Sequence, residues 1–243
     1  MSRRARVLRI WREEGLIGLA RGVREGVVSH LRPNSIDQNR RAWTRYDWSQ
    51  RGEEWSDDPV WKQSFVQHVL EPHVVPSSNV LEIGPGAGRW TEHLLSRGAE
   101  VTIVDVTEKC INMCRERFKH AKHLRSHVND GRDLSFVPDA SIDRIFSFDV
   151  FVHIAAKDIG AYVAQFPRVL APGGRALIHH ARRGRFAPGW RSDMTAERMR
   201  EFAADSGLRV VNQFLTWDAG RQSIYPTLPV DEQPDVISVL EKA

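Results

Sequence analysis

Apolar positions along this chain fall into short runs separated by glycines and charges. Residues 80–83 (VLEI) and 100–104 (EVTIV) are β-branched or aliphatic runs of the kind found in strands buried on both faces. Between them, residues 89–95 (RWTEHLL) read as a helix entered through a loop that contains Gly84, Gly86 and Gly88. Without Cβ atoms this loop can turn tightly and let a ligand approach its backbone, and the first amides of the helix point back at it. Further along, Ser192, Asp193 and Thr195 offer caps for a helix over residues 196–205 with Gly207 as its stop, and residues 208–217 and 236–240 read as two more strands. Strand, glycine turn and helix in succession predict a nucleotide pocket.

The first 32 residues follow a different pattern. Leu16, Ala20, Val23, Val27 and Leu31 recur at helical spacing with arginines between them, a cationic amphipathic arrangement suited to peripheral contact with an anionic membrane. Gly15, Gly18, Gly22 and Gly26 each cost a helix about 1 kcal/mol relative to alanine, so a disordered extension or a small-residue packing face stands beside that reading. Pro33, Asn34 and Ser35 read as a linker, after which Trp43, Tyr46, Trp48, Trp55 and Trp61 crowd into one aromatic stretch. These rings can pack a helix on a sheet or stack on a sugar face. The expected division is a basic extension over 1–32, a helical Trp-rich segment over 33–75 and a catalytic domain over 76–243.

Composition narrows this picture. A chain of 243 residues with 41% hydrophobic content can hold one sizeable core. No apolar run approaches the roughly 20 residues that span a bilayer. Leu16 to Ala20 is too short and too closely flanked by charge for a secretory signal, so a cytoplasmic protein is expected. The net charge of +4 hides an asymmetry, because residues 1–32 hold eight arginines against three glutamates and leave the remainder slightly acidic. A nucleic-acid partner is therefore not expected. Cys110 and Cys114 share a helical face without further metal ligands at suitable spacing and read as buried structural thiols; no metal is expected.

The glycine spacing decides between nucleotide pockets. Gly84, Gly86 and Gly88 give GxGxG, and Arg89 stands where a dinucleotide-binding loop places its third glycine. Glu82, just before the turn, would repel a pyrophosphate and suits a cationic amino group. Asp105 ends the next strand 21 residues after Gly84, where a carboxylate can accept both ribose hydroxyls.

With these residues the chain resembles the class I S-adenosylmethionine-dependent methyltransferases. Three further segments carry the resemblance: residues 128–131 (VNDG), 142–154 (IDRIFSFDVFVHI) and 170–180 (LAPGGRALIHH). It implies an α/β Rossmann-like three-layer sandwich with a seven-stranded, mostly parallel sheet of order 3-2-1-4-5-7-6, the last strand antiparallel. It implies S-adenosylmethionine as cofactor, leaving as S-adenosylhomocysteine, with Glu82, Gly84, Pro85, Gly86 and Gly88 under its amino-acid part and Asp105 and Val106 at the ribose. Asp130 and Gly131 would meet the adenine, Phe148 would complete the pocket, and residues 40–67 would form a lid from which Tyr46 reaches the carboxylate end. The layout also loosely resembles bacterial methyltransferases of polysaccharide or glycolipid synthesis.

A sulfonium is an activated methyl donor, so the protein's task is to hold an acceptor in line and, for an oxygen acceptor, to supply a base. His153, beyond the fourth strand, and His179 and His180, ending the fifth, are the candidates, with alternation pointing the last two to opposite faces. Asp149 is a further acceptor-side group. Arg182, Arg183, Arg185 and Arg191 suit a phosphate or carboxylate. The expected activity is O-methylation of a small polar, anionic or glycan-type acceptor. Methylation of nitrogen or carboxyl groups, or cofactor binding without catalysis, are the alternatives.

Overall fold

The computed structural model describes residues 34–56, 58–97, 100–184 and 191–242. The basic extension over 1–32, with its membrane-surface reading, and Arg185 lie outside the described residues. Seven strands form the central sheet: β1 (Asn79–Ile83), β2 (Glu100–Asp105), β3 (Leu124–Val128), β4 (Ile142–Phe151), β5 (Leu170–Ala181), β6 (Leu208–Phe214) and β7 (Asp235–Lys242). Their order is β3-β2-β1-β4-β5-β7-β6, with β7 antiparallel to both of its neighbours and the other pairings parallel. This is the Rossmann-like sheet order that the resemblance implied.

Helices cover both faces: α1 (Ile36–Arg45), α2 (Pro59–Phe65, continued by a π turn over Val66–Leu70 into Glu71–His73), α3 (Thr91–Ser96), α4 (Glu108–Arg117), α5 (Ala156–Val163), α6 (Phe166–Val169) and α7 (Ala196–Asp205). Ser35, Asp58, Thr107 and Thr195 cap α1, α2, α4 and α7 by accepting a backbone N–H in the first turn, which satisfies a donor the helix cannot. No helix among the described residues is long and apolar enough to cross a membrane.

The strands' alternation divides the core in two. One face gathers Leu81, Ile83, Val104, Ile145, Ile178 and Leu240 with α5 and α7. The other gathers Val80, Val101, Ile103, Phe146, Phe148, Leu177 and Ile237 with aromatic rings from α2 and the start of α3. On this second face Phe65 lies within 4.6–5.5 Å, centroid to centroid, of Phe148, Trp90 and Trp217. Trp61, expected in a lid, is 3% exposed and donates its indole N–H to the Ser223 carbonyl, so it belongs to this core.

One expected strand is shorter, and another strand is interrupted. The sixth strand stops at Phe214, and Thr216–Trp217 pairs instead with Gln222–Ser223 in a separate ribbon. Pro172, Gly173 and Gly174 lie within β5 as an irregularity, because the pairing jumps from Ile142↔Leu170 to Arg144↔Arg175 and leaves residues 171–174 looped out.

The glycine loop is fixed by packing as well as by backbone angle. Gly84, Gly86 and Gly88 all have positive φ, which an L side chain rarely adopts. A Cβ on Gly84 would stand 2.5 Å from a Val150 methyl, on Gly86 2.8 Å from the Trp48 indole, and on Gly88 2.5 Å from the Phe118 ring. Gly88→Ala is expected to destabilise the protein by about 2–4 kcal/mol through combined backbone strain and overpacking, read as a lower thermal or denaturant midpoint. An unchanged midpoint would show that the loop is looser than its packing implies.

Candidate active site

The site lies along the carboxyl-terminal ends of the parallel strands, where α/β folds bind their ligands. Glu82, on the aromatic face of β1, is 2% exposed and accepts a 2.5 Å hydrogen bond from the Thr91 hydroxyl. Burial pushes its carboxyl up to about 7, against the pull of Thr91 and Arg89. At the tip of β2, Asp105 accepts from the Thr107 amide and hydroxyl, both at 2.8 Å, yet burial still raises it to about 6. Two raised carboxyls thus flank a loop of three positive-φ glycines.

The segment 36–48 is strapped across these tips. Ile36 packs on Gly131, Arg40 donates to the Val106 carbonyl at 3.3 Å, and Lys109 donates to the carbonyls of Thr44 and Tyr46 at 3.0 and 2.8 Å. Trp48 covers Gly86, and Trp43 meets the His153 ring edge-on at 5.3 Å. The Tyr46 hydroxyl donates to Glu54 at 2.7 Å. Asp130 caps its own turn by accepting from the amides of Arg132 and Asp133 at 2.8 Å, and the Gly131 amide donates to the Asn129 side chain at 3.0 Å. The turn expected at the adenine is therefore preformed by local hydrogen bonds. Beneath the loop, buried Cys114 places its sulfur 3.4 Å from the Gly86 carbonyl, and burial raises the Cys110 thiol to about 12, so both cysteines are structural.

Around the tips of β4, β5 and β7 a second constellation forms. Asp149 has φ of +61°, unusual for a residue other than glycine, and its side chain is 19% exposed. Its carboxylate accepts from Arg89 at 2.7 Å, and its amide donates to His179 Nδ1 at 3.1 Å. Fully buried His179 stacks on Phe148 at 4.3 Å, and its Nε2 stands 3.5 Å from Asp235. Burial would push the imidazole down, but Asp149 and Asp235 outweigh it and hold it above its usual range. Asp235 is 0% exposed, accepts from Tyr225 and is ion-paired with Arg191.

Three expectations about the acceptor side change here. His180 is not placed to act on an acceptor: it lies on the opposite face, fully buried, with Nδ1 at 2.8 Å from the Ala181 carbonyl and Nε2 at 2.7 Å from the Ser238 hydroxyl, and burial lowers it to about 4. Arg182 donates to the carbonyls of Gln233 and Asp231 at 3.0 and 2.7 Å, and Arg183 also donates to Asp231, so both brace the 230–233 turn. Arg191 turns inward to Asp235 and Tyr225. Arg89, Asp235 and Tyr225 were not foreseen as site residues. Arg89 stood out only as a missing glycine, while an acidic residue opening the last strand beside a His-His pair was a usable signal for Asp235.

Residues 80–174 match the family model described as a methyltransferase domain. Over this segment the chain is similar to methyltransferase domains. Relatives include a demethylmenaquinone methyltransferase of Tropheryma whipplei, 33% identical over 43% of this chain and 42% of that protein, and nodulation protein S of Rhizobium tropici, 30% identical over 44% of each. The chain spans less than half the length of these curated relatives. Among solved structures, a TehB-like S-adenosylmethionine-dependent methyltransferase of Corynebacterium glutamicum shares the fold with a TM-score of 0.61 and 21% identity, over 83% of this chain and 98% of that one. So does a Burkholderia thailandensis 1,6-didemethyltoxoflavin N1-methyltransferase with its acceptor and S-adenosylhomocysteine bound, with a TM-score of 0.59 and 19% identity, over 81% of this chain and 84% of that one.

S-adenosylmethionine is the cofactor of such domains, and these residues fit it. Glu82 is a buried carboxylate awaiting a cation, the glycine loop leaves no room for Cβ atoms, and Asp105 presents a carboxyl at the second strand tip. Burial holds the Glu82 carboxyl at about 7, and a cationic amino group beside it favours the ionised form. Binding of S-adenosylhomocysteine is therefore expected to release up to one proton below pH 7 and to tighten as pH rises from 5.5 to 7.5. Calorimetry in buffers of different ionisation enthalpy measures the proton. Glu82→Gln should flatten the pH dependence and weaken binding roughly 10- to 100-fold; retained dependence would assign the proton elsewhere.

Proposed function

We propose that this protein transfers the methyl group of S-adenosylmethionine to a hydroxyl of a small polar acceptor, with Asp149 receiving the hydroxyl proton. The observation that carries the reading is the placement of Asp149: partly exposed at the tip of β4, and fixed by Arg89 on its carboxylate and His179 on its amide. When bound, the cofactor supplies a methyl group already activated on sulfur. The protein's own work is then orientation, exclusion of water and removal of one proton. A carboxylate with a raised imidazole 3.4 Å behind it suits an oxygen acceptor, which must lose its proton as the new bond forms.

The half-buried rings of Trp43 and His153, beside the strap at the tip of β4, support an acceptor with a flat face or sugar ring. Arg182, Arg183 and Arg191 are committed to protein partners, so the anionic character of the acceptor loses their support. Arg185 lies outside the described residues.

A methyl-transfer screen over saccharides, phenols, amines, carboxylic acids and RNA tests the reading. Transfer confined to hydroxyls is expected; transfer confined to amines or carboxylic acids would sink it, and cofactor binding without transfer to any acceptor would favour a non-catalytic role. With an acceptor in hand, Asp149→Asn should lower kcat by about 10²- to 10⁴-fold with little change in S-adenosylhomocysteine affinity. His153→Ala should act mainly on KM for the acceptor. An unaltered kcat in Asp149→Asn would remove it from the proton transfer.

A further inference from the structure

We propose that Asp235 is a positioning residue for the acceptor side of this site: from the first position of the last strand it holds the His179 imidazole, and His179 in turn holds Asp149 in its strained, productive geometry. The inference rests on the assignment of Asp149 above.

Strand register supplies the first part of the argument. β7 runs antiparallel to β5 with Ala181 opposite Asp235 and His179 opposite Ile237. Residues two apart on a strand share a face, so His179 and Asp235 are diagonal neighbours on the aromatic side, while His180 and Val236 face the other way. The diagonal brings Asp235 Oδ2 to 3.5 Å from His179 Nε2.

The second part is that His179 has few ways to be held. Its ring is fully buried, stacked on Phe148 at 4.3 Å and an interplanar angle of 22°, which leaves it one plane. Within that plane Nδ1 accepts the Asp149 amide at 3.1 Å. A nitrogen that accepts carries no proton, so the neutral ring bears its proton on Nε2, facing Asp235. His179 Nε2 makes no hydrogen bond among the described residues, and neither does Asp235 Oδ1. Asp149 Oδ1 stands 3.4 Å from Nδ1 and Asp235 Oδ2 3.5 Å from Nε2, so Asp235 is the carboxylate that draws the proton to the Nε2 side, away from the nitrogen that accepts the Asp149 amide. A proton on Nδ1 would break the bond to the Asp149 amide, and with it the restraint on a residue at φ of +61°.

Asp235 is itself over-determined. Arg191 and Tyr225 both bond its Oδ2, and Arg191 also donates to the Tyr225 hydroxyl at 2.7 Å. Against its burial, His179 first, then Arg191 and Tyr225, hold the Asp235 carboxyl below the usual range. The groups facing His179 are accordingly Asp149 from β4, Asp235 from β7, Arg191 from the segment before α7 and Tyr225 from the turn before β7, with Arg89 beyond Asp149. His179 thus lies between two carboxylates, each of them paired with an arginine, Asp149 with Arg89 and Asp235 with Arg191.

Nitrogen-15 NMR of the full chain labelled in histidine tests this without an acceptor, with His179→Gln assigning the signals. The wild type should show His179 as the Nε2-protonated tautomer with a pKa above 6.5. Asp235→Asn should lower that pKa by at least about one pH unit or mix the tautomers, and Tyr225→Phe, a smaller perturbation should the first variant fold poorly, should shift it in the same direction. S-adenosylhomocysteine binding should stay within threefold in both. His179 signals unchanged in both variants would overturn the proposal. Where an acceptor has been found, a fall in kcat and a displaced acid limb of the pH profile in Asp235→Asn support it further. Altered His179 signals with unaltered turnover would instead uphold the positioning of His179 and overturn the assignment of Asp149 as base.

Discussion

Both faces of the central sheet are buried, so the phase of side-chain alternation along each strand is the constraint on which the rest depends. Glu82, Phe146, Phe148, His179 and Asp235 come from four strands and all fall on the aromatic face. A slip of one residue in β5 would send His179 into the aliphatic face and bring His180 to Asp149. The pairings Ala181↔Asp235 and Glu82↔Phe146 therefore fix the chemistry as much as the fold.

That aromatic face explains how so many charges are kept from water. Removing a lone ion from water costs several kcal/mol even after relaxation, more than one hydrogen bond returns. Each charge here meets one of two conditions. Asp149, Asp235, Arg89 and Arg191 are paired, and rings with polarisable faces, such as Trp90 under Arg89 at 4.8 Å and Tyr225 near Arg191 at 5.7 Å, cover the pairs. Glu82 is hydrogen-bonded to the Thr91 hydroxyl and has no ion pair among the described residues, and it keeps its proton to higher pH. The contrast separates a carboxylate satisfied by the protein from one that a cationic ligand can satisfy.

Much of this was legible in the sequence, for reasons that are local. Short apolar runs, positive-φ glycines and cap residues act over a few positions, so β1, the glycine loop, β2 and α7 could be read directly, while the sheet order came from the family resemblance. Alternation also foretold that His179 and His180 would part, though not which of them the last strand would meet with a carboxylate. What stayed illegible depends on long-range register. Arg182 and Arg183 sit in a basic run that suits an anion, and only the 230–233 turn folding back onto them shows that their donors are spent on carbonyls. Trp61 and Trp48 belong to one aromatic stretch, yet one is core and the other covers Gly86, a difference set by position, Trp61 on α2 and Trp48 in the loop after α1.

The same accounting locates acceptor specificity. At the strand tips, Asp105 is held by Thr107, Asp130 by its own turn, Asp235 by Arg191 and Tyr225, and His180 by Ser238. Polar groups fixed on several sides cannot readjust to discriminate between acceptors, and altering one leaves its partner buried without a bond. The strap over residues 36–48 is attached differently, through donations to the carbonyls of Val106, Thr44, Tyr46 and His153 that make no demand on the ring faces of Trp43 and Trp48. Those faces can change size and polarity without unpairing a buried charge. On the proposed function, variation in the acceptor is therefore cheapest in the strap, and the strands can keep one arrangement of charge while it changes.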